Sequence, residues 1–298
     1  MPPLRRPRRA APTAAPGAWI CALFAASAAC STWIPAHSPT FESDETVQRR
    51  HYRATIADGR DVEVSYLRSG NAEAQRVIFV HGTPGQATAW LAFLRDDPQQ
   101  LEHVALDRPG FGATRPLQEV TSLRQQAAAI EPLLQPRNGR WPILVGHSLG
   151  GPIVAAVAAY YPDKVDGIVI AAGSIDPDQE DLYLAQFLGE EPPFVWLVPT
   201  PLRHANREVL ELETELVMLG HDLDRIRCRT IIVHGTDDAL VPYGNVAYMQ
   251  DKLVRTEELQ LVRLEGGDHF LPWNAQDVLR DAVARLVAQD LGPTDPFR

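Results

Sequence analysis

The sequence predicts an α/β fold, a mostly parallel central sheet with helices on both faces and a helical lid inserted above it. Three observations carry this. Short apolar runs alternate with helix-length segments from residue 76 onward. The runs are continuously apolar, as strands buried on both faces are, and not alternating. More than fifty residues separate two of these strands, where a few would join neighbours.

In chain order, residues 1–29 read as a signal peptide of the lipoprotein type. Arg5, Arg6, Arg8 and Arg9 form a basic start, followed by an apolar run from Ala18 to Ala29 that is too short to span a bilayer as a helix. Ser27-Ala28-Ala29-Cys30 resembles the bacterial lipobox, in which the cysteine becomes the lipidated first residue. Ser27 stands where that motif usually carries an aliphatic residue, and Ala26-Ser27-Ala28 also suits ordinary cleavage. The expectation is export, with a membrane anchor at Cys30, and otherwise a periplasmic or secreted protein. Residues 30–49 are polar and aperiodic, which reads as a linker to a domain over 50–298.

That domain opens with HYRATI and DVEVSYL flanking Asp58-Gly59, a hairpin pattern. Buried strands follow at 76–80, 103–107, 141–146, 166–172, 229–235 and 259–266, with helices near 86–95, 121–135, 149–161, 243–254 and 274–290. The overlong interval, about 175–226, reads as the lid. Within it Val209, Leu212, Leu216 and Leu219 recur at three- and four-residue steps, with Glu208, Glu211 and Glu215 expected on the other side. Before that helix lies an apolar, proline-rich stretch, PPFVWLVPTP (192–201). Phe187, Phe194 and Trp196 are the candidate substrate-binding aromatics of the lid.

Composition excludes several functions. The net charge is −10 although residues 1–29 carry four arginines and no acid, so the body repels phosphate backbones and nucleic-acid binding is not expected. Cys21 lies in the signal and Cys30 directly after it, leaving Cys228 alone in the body, so no disulfide framework or cysteine zinc site can form there. His81, His147 and His234 each adjoin a glycine at a strand end. Without an HExxH pattern, they are expected to hydrogen-bond loop backbone, with no metal bound.

The chemistry concentrates at strand ends. Gly146-His147-Ser148-Leu149-Gly150 fits G-x-S-x-G, and it joins the buried strand WPILV to the small-residue helix LGGPIVAAVAAYY. In that strand–turn–helix setting the serine occupies a sharp elbow with its hydroxyl exposed. Pro152 is harmless there, because in the first helical turn the N–H it lacks would have no partner anyway. A serine hydroxyl needs a base, and His269 follows the last strand, where a loop can carry it over the elbow. The acid orienting His269 has three candidates: Asp238 and Asp237 after the preceding strand, and Asp176 after the strand before that.

HGTPG (81–85), DRPGFG (107–112), GHSLGG (146–151), HGTDD (234–238) and GGDHF (266–270) stand in this order, each at a strand end. Together they resemble the α/β-hydrolase superfamily from about residue 50 to the C-terminus. That resemblance implies the α/β-hydrolase fold and the triad order Ser148, Asp238, His269, with Asp238 in the H-G-x-x-D position counted from His234. HGTPG resembles the His-Gly oxyanion loop, which implies that the N–H groups of Thr83 and Leu149 hold the oxyanion. HGTPG is also similar to the HGGPG of proline iminopeptidases, but 107–112 departs from their DQRGxG. Ser148 argues against the aspartate nucleophile of dehalogenases and most epoxide hydrolases of this fold.

The expected function is acyl transfer by a serine hydrolase on a small, uncharged carboxylic ester, needing no metal or organic cofactor. Amide or peptide, thioester and carbon–carbon substrates share the fold and stay open. Two rivals come from other classes, a hydrolase-fold binding protein with negligible turnover and a membrane-tethered scaffold that holds a partner with its lid. Intact chemistry at every motif counts against both.

Overall fold

The computed structural model describes residues 41, 43–56, 58–96, 100–180, 186 and 198–289. The expected signal peptide, Cys30, Phe187, Phe194 and Trp196 lie outside them, as does part of the expected lid. Among the described residues no helix is long and apolar enough to cross a membrane.

Eight strands form one sheet: β1 (Gln48–Thr55), β2 (Asp61–Gly70), β3 (Arg76–Val80), β4 (Glu102–Leu106), β5 (Ile143–His147), β6 (Gly167–Ala171), β7 (Arg229–Gly235) and β8 (Leu259–Leu264). Their order across the sheet is β1-β2-β4-β3-β5-β6-β7-β8. The first two pairings, β1 with β2 and β2 with β4, are antiparallel, and all the others are parallel. The hairpin turns at Gly59, whose φ of +84° suits a residue without Cβ.

Every residue of β3, β4, β5 and β6 is buried, because helices cover both faces. Alternate side chains enter different cores, as a period of two requires. Ile78, Val80, Leu144 and Ile168 join one cluster, and Val77, Phe79, Ile143 and Val145 the other. The first cluster packs on α1 (Leu123–Ile130), α2 (Gly150–Tyr160), the inner face of α3 (Thr200–Gly220) and α4 (Gly244–Lys252). The second packs on α5 (Gln276–Ala288), together with Trp90 and Phe93. Cys228 is a buried member of the first, and burial pushes its thiol up to about 12.

Four sequence expectations need correction. The linker was expected to reach residue 49, but β1 begins at Gln48, Val47 is fully buried, and Arg49 pairs with buried Asp107 at 2.6 Å. That partner is distant in sequence, so local polarity could not announce it. The segment at 86–95 is a 3₁₀ turn, Ala87–Trp90, followed by one α turn, Leu91–Leu94. The helix expected to reach 135 ends at Ile130 and passes into a 3₁₀ turn containing Pro132, which has no N–H to continue it.

The fourth correction concerns α3, which starts at Thr200 with Pro201 in its first turn. Leu212, Leu216 and Leu219 are buried as the pattern requires, but so is Glu208, which was assigned to the outer face. Glu208 lies one turn before Leu212 and so continues the buried stripe. What makes its burial tolerable is a buried partner, Arg108.

Candidate active site

Ser148 follows β5, near the middle of the sheet, at φ +55°. Left-handed backbone costs an L residue about 1–2 kcal/mol, so the surroundings must enforce it. They do so through two backbone bonds: Ser148 N–H donates to the Ala171 carbonyl at 3.0 Å, and the Ser148 carbonyl accepts from Gly151 N–H at 2.8 Å. The glycines on either side are needed sterically. A Cβ on Gly146 would overlap the Gly150 carbonyl, and one on Gly150 would overlap the Val80 carbonyl.

His269 and Asp238 are both buried, and His269 Nδ1 lies 2.8 Å from Asp238 Oδ2. The carboxylate accepts, so Nδ1 carries a proton, which in the neutral imidazole makes Nε2 the acceptor. Asp238 Oδ1 accepts from the N–H groups of Leu240 and Val241 at 2.9 and 2.8 Å. Burial raises the Asp238 pKa, but these bonds and the imidazole's charge outweigh it and hold the carboxyl below its ordinary value. Asp237 is exposed and accepts from Thr236 Oγ1. Asp176 caps a turn, its Oδ1 accepting from Asp178 N–H at 3.0 Å, and burial pushes its carboxyl up.

Each strand-end histidine is spent on a backbone carbonyl: His81 Nδ1 on Gly82, His147 Nε2 on His269 and His234 Nε2 on Val241, at 2.7, 2.8 and 3.0 Å. Among the described residues no group of three or more His, Cys, Asp or Glu could hold a metal ion. His147 ties the elbow to the histidine loop, its ring centroid 4.8 Å from that of His269. Burial, with the neighbouring His269 charge, lowers the His147 pKa to about 3. The sequence singled out His147 only as a strand-end histidine.

Gly82 lies against the serine, for a Cβ there would sit 2.8 Å from Ser148 Cβ. Among the described residues, neither Thr83 N–H nor Leu149 N–H meets an acceptor. The Thr83 hydroxyl donates to Glu208 at 2.5 Å, and Arg108 pairs with the same carboxylate at 2.6 Å. The sequence singled out Arg108 only as a member of the DRPGFG motif. The one-turn spacing from Leu212 was the available signal for Glu208.

An elbow serine after a central parallel strand, a buried Asp–His pair after the last two strands in the chain and a His-Gly loop beside the serine define an α/β-hydrolase architecture. Residues 77–282 match the alpha/beta hydrolase family, and the chain belongs to it. Among relatives, the dihydrolipoyllysine-residue acetyltransferase component of the acetoin cleaving system of Cupriavidus necator is 30% identical over 45% of this chain, which spans only 35% of that protein's length. The non-heme chloroperoxidase of Streptomyces lividans is 26% identical over 78% of this chain and 98% of its own. Among solved structures, the meta-cleavage product hydrolase of Pseudomonas fluorescens shares the fold at a TM-score of 0.58 and 18% identity, covering 80% of this chain and 97% of that one.

Proposed function

We propose that the chain is a serine hydrolase acting by acyl transfer on a small, uncharged carboxylic ester. The observation that carries this reading is the 2.8 Å Asp238–His269 bond, linked through His147 to a serine at φ +55°. His269 Nε2 takes the Ser148 proton as the serine attacks the ester carbonyl. Thr83 and Leu149 N–H groups receive the developing oxyanion, and ionised Asp238 stabilises the imidazolium. His269 then protonates the departing alkoxide, and water hydrolyses the acyl-serine with the same histidine as base. Arg108, at the oxyanion loop, is neutralised by Glu208, so it offers no free charge to an anionic acyl group. The apolar run at 192–201 further favours an uncharged one.

A fluorophosphonate should label the wild type at Ser148, and a panel of esters graded by acyl length should reveal the preferred substrate. Ser148→Ala should keep its circular dichroism and lose turnover by roughly 10³-fold or more. Near-normal ester hydrolysis by that variant would overturn the assignment.

A further inference from the structure

We infer that Arg108 and Glu208 are positioning residues for the oxyanion hole, through which the lid helix α3 fixes the peptide that presents Thr83 N–H. This rests on the acyl-transfer reading. The Gly82 carbonyl accepts from Arg108 Nη2 at 2.8 Å and from His81 Nδ1 at 2.7 Å. In a trans peptide the carbonyl and the following N–H point in opposite directions, so holding the Gly82 oxygen sets the direction of Thr83 N–H. That peptide lies at the nucleophile, because a Cβ on Gly82 would sit 3.3 Å from Ser148 Oγ.

Arg108 is 1% exposed and depends on protein groups to hold it. Arg108 Nε also donates to the His81 carbonyl at 3.0 Å. Glu208, equally buried, accepts from Arg108 Nη1 and Nη2 at 2.6 and 3.1 Å, from Gln126 Nε2 at 2.8 Å and from the Thr83 hydroxyl at 2.5 Å. The carboxylate therefore grips Thr83 by its side chain and, through the guanidinium, by its backbone. Buried ion pairs are often replaceable by apolar residues without loss of stability. A pair that donates to the Gly82 carbonyl and accepts from the Thr83 hydroxyl, on the two sides of one loop peptide, is better explained by what that peptide does. An oxyanion donor acts by being aimed before the charge develops, so its value falls when the peptide can rotate.

The test uses full-length Arg108→Lys and Glu208→Gln. Lysine keeps a charge opposite Glu208, but its single ammonium cannot reproduce the guanidinium's bridge to the Gly82 carbonyl. Glutamine keeps the shape and removes the charge. Each variant is measured for kcat and KM on one ester. Inhibition is measured with a trifluoromethyl ketone of the same acyl group, whose adduct with Ser148 carries an oxyanion. We expect kcat to fall roughly 10–100-fold with KM within about threefold, and ketone affinity to fall in step with kcat/KM. A structural role alone would move the melting temperature without that split. If Glu208→Gln does not fold, Arg108→Lys decides, because it retains a paired charge. Folded variants with unchanged kcat, or with the loss confined to KM, overturn this inference alone. A wild type that neither turns over an ester nor takes the ketone overturns the acyl-transfer reading and this inference with it.

Discussion

Asp237 and Asp238 are neighbours with opposite environments. Asp238 is buried with four hydrogen-bonding directions to satisfy, and it receives His269 on one oxygen and two loop N–H groups on the other. Asp237 faces solvent. Asp238→Asn should leave the loop in place but let the imidazole carry its proton on the wrong nitrogen, lowering kcat by roughly 10³–10⁴-fold. Asp237→Asn should cost about tenfold at most, since an exposed carboxylate has little hold on a buried ring. Measuring kcat/KM on one ester, with circular dichroism confirming folding, ranks the two, and Asp176→Asn belongs in the same series. A larger loss at Asp237 or Asp176 would reassign the acid. Position after a strand was legible in the sequence and narrowed the acid to three residues. Burial and the hydrogen-bonding direction separated them, and neither has a local sequence signal.

Helix α3 performs two tasks on one face. Leu212, Leu216 and Leu219 pack into the core beside α2, whereas Glu208, one turn earlier on the same stripe, meets Arg108. The two tasks separate by mutation. Leu216→Ala should leave a cavity costing about 2–5 kcal/mol, visible as a lower melting temperature, with kcat at permissive temperature nearly unchanged. Glu208→Gln leaves the Arg108 charge buried without its counter-ion and so also costs stability, but at a permissive temperature it should still cut kcat. Equal loss of stability and kcat in both variants would mean that the helix acts on the site only by being folded. The helical period was readable because leucines repeat, and it correctly placed the apolar stripe. It failed at Glu208 because charge was taken as a sign of exposure, whereas the residue's phase on the helix put it inside. The partner that makes burial tolerable lies 100 residues earlier in the chain.

For the whole molecule, the parallel sheet was legible because strands covered on both faces have no polar side to disguise them, and each motif marks a strand end. The start of β1 was not, since Arg49 is anchored by Asp107 on the far side of the antiparallel hairpin. The same buried architecture has a consequence for acid stability. His81, His147 and His234 are enclosed around the site, and each is held below its ordinary pKa chiefly by burial, His147 down to about 3. In the unfolded chain these imidazoles titrate near 6.5. Between the two values the unfolded state binds protons that the native state refuses, so native stability falls as the pH drops below 6.5. Each such imidazole contributes a slope of roughly 1 kcal/mol per pH unit. Asp238, with its pKa depressed, acts in the same direction but only once the pH falls toward its ordinary 3.8 and below. Urea unfolding at pH 7, 6 and 5 should therefore show a steady loss of stability well above the carboxylate range. His147→Gln retains a side-chain N–H for the His269 carbonyl and removes the titrating ring, so its profile should be shallower by roughly 1 kcal/mol per pH unit. The groups nearest His147 that share its field, His269 and Asp238, are present in both proteins, so the difference in slope isolates the one imidazole. Parallel profiles for wild type and variant would show that His147 takes up its proton in the folded state, against the burial and hydrogen bonding that keep it neutral.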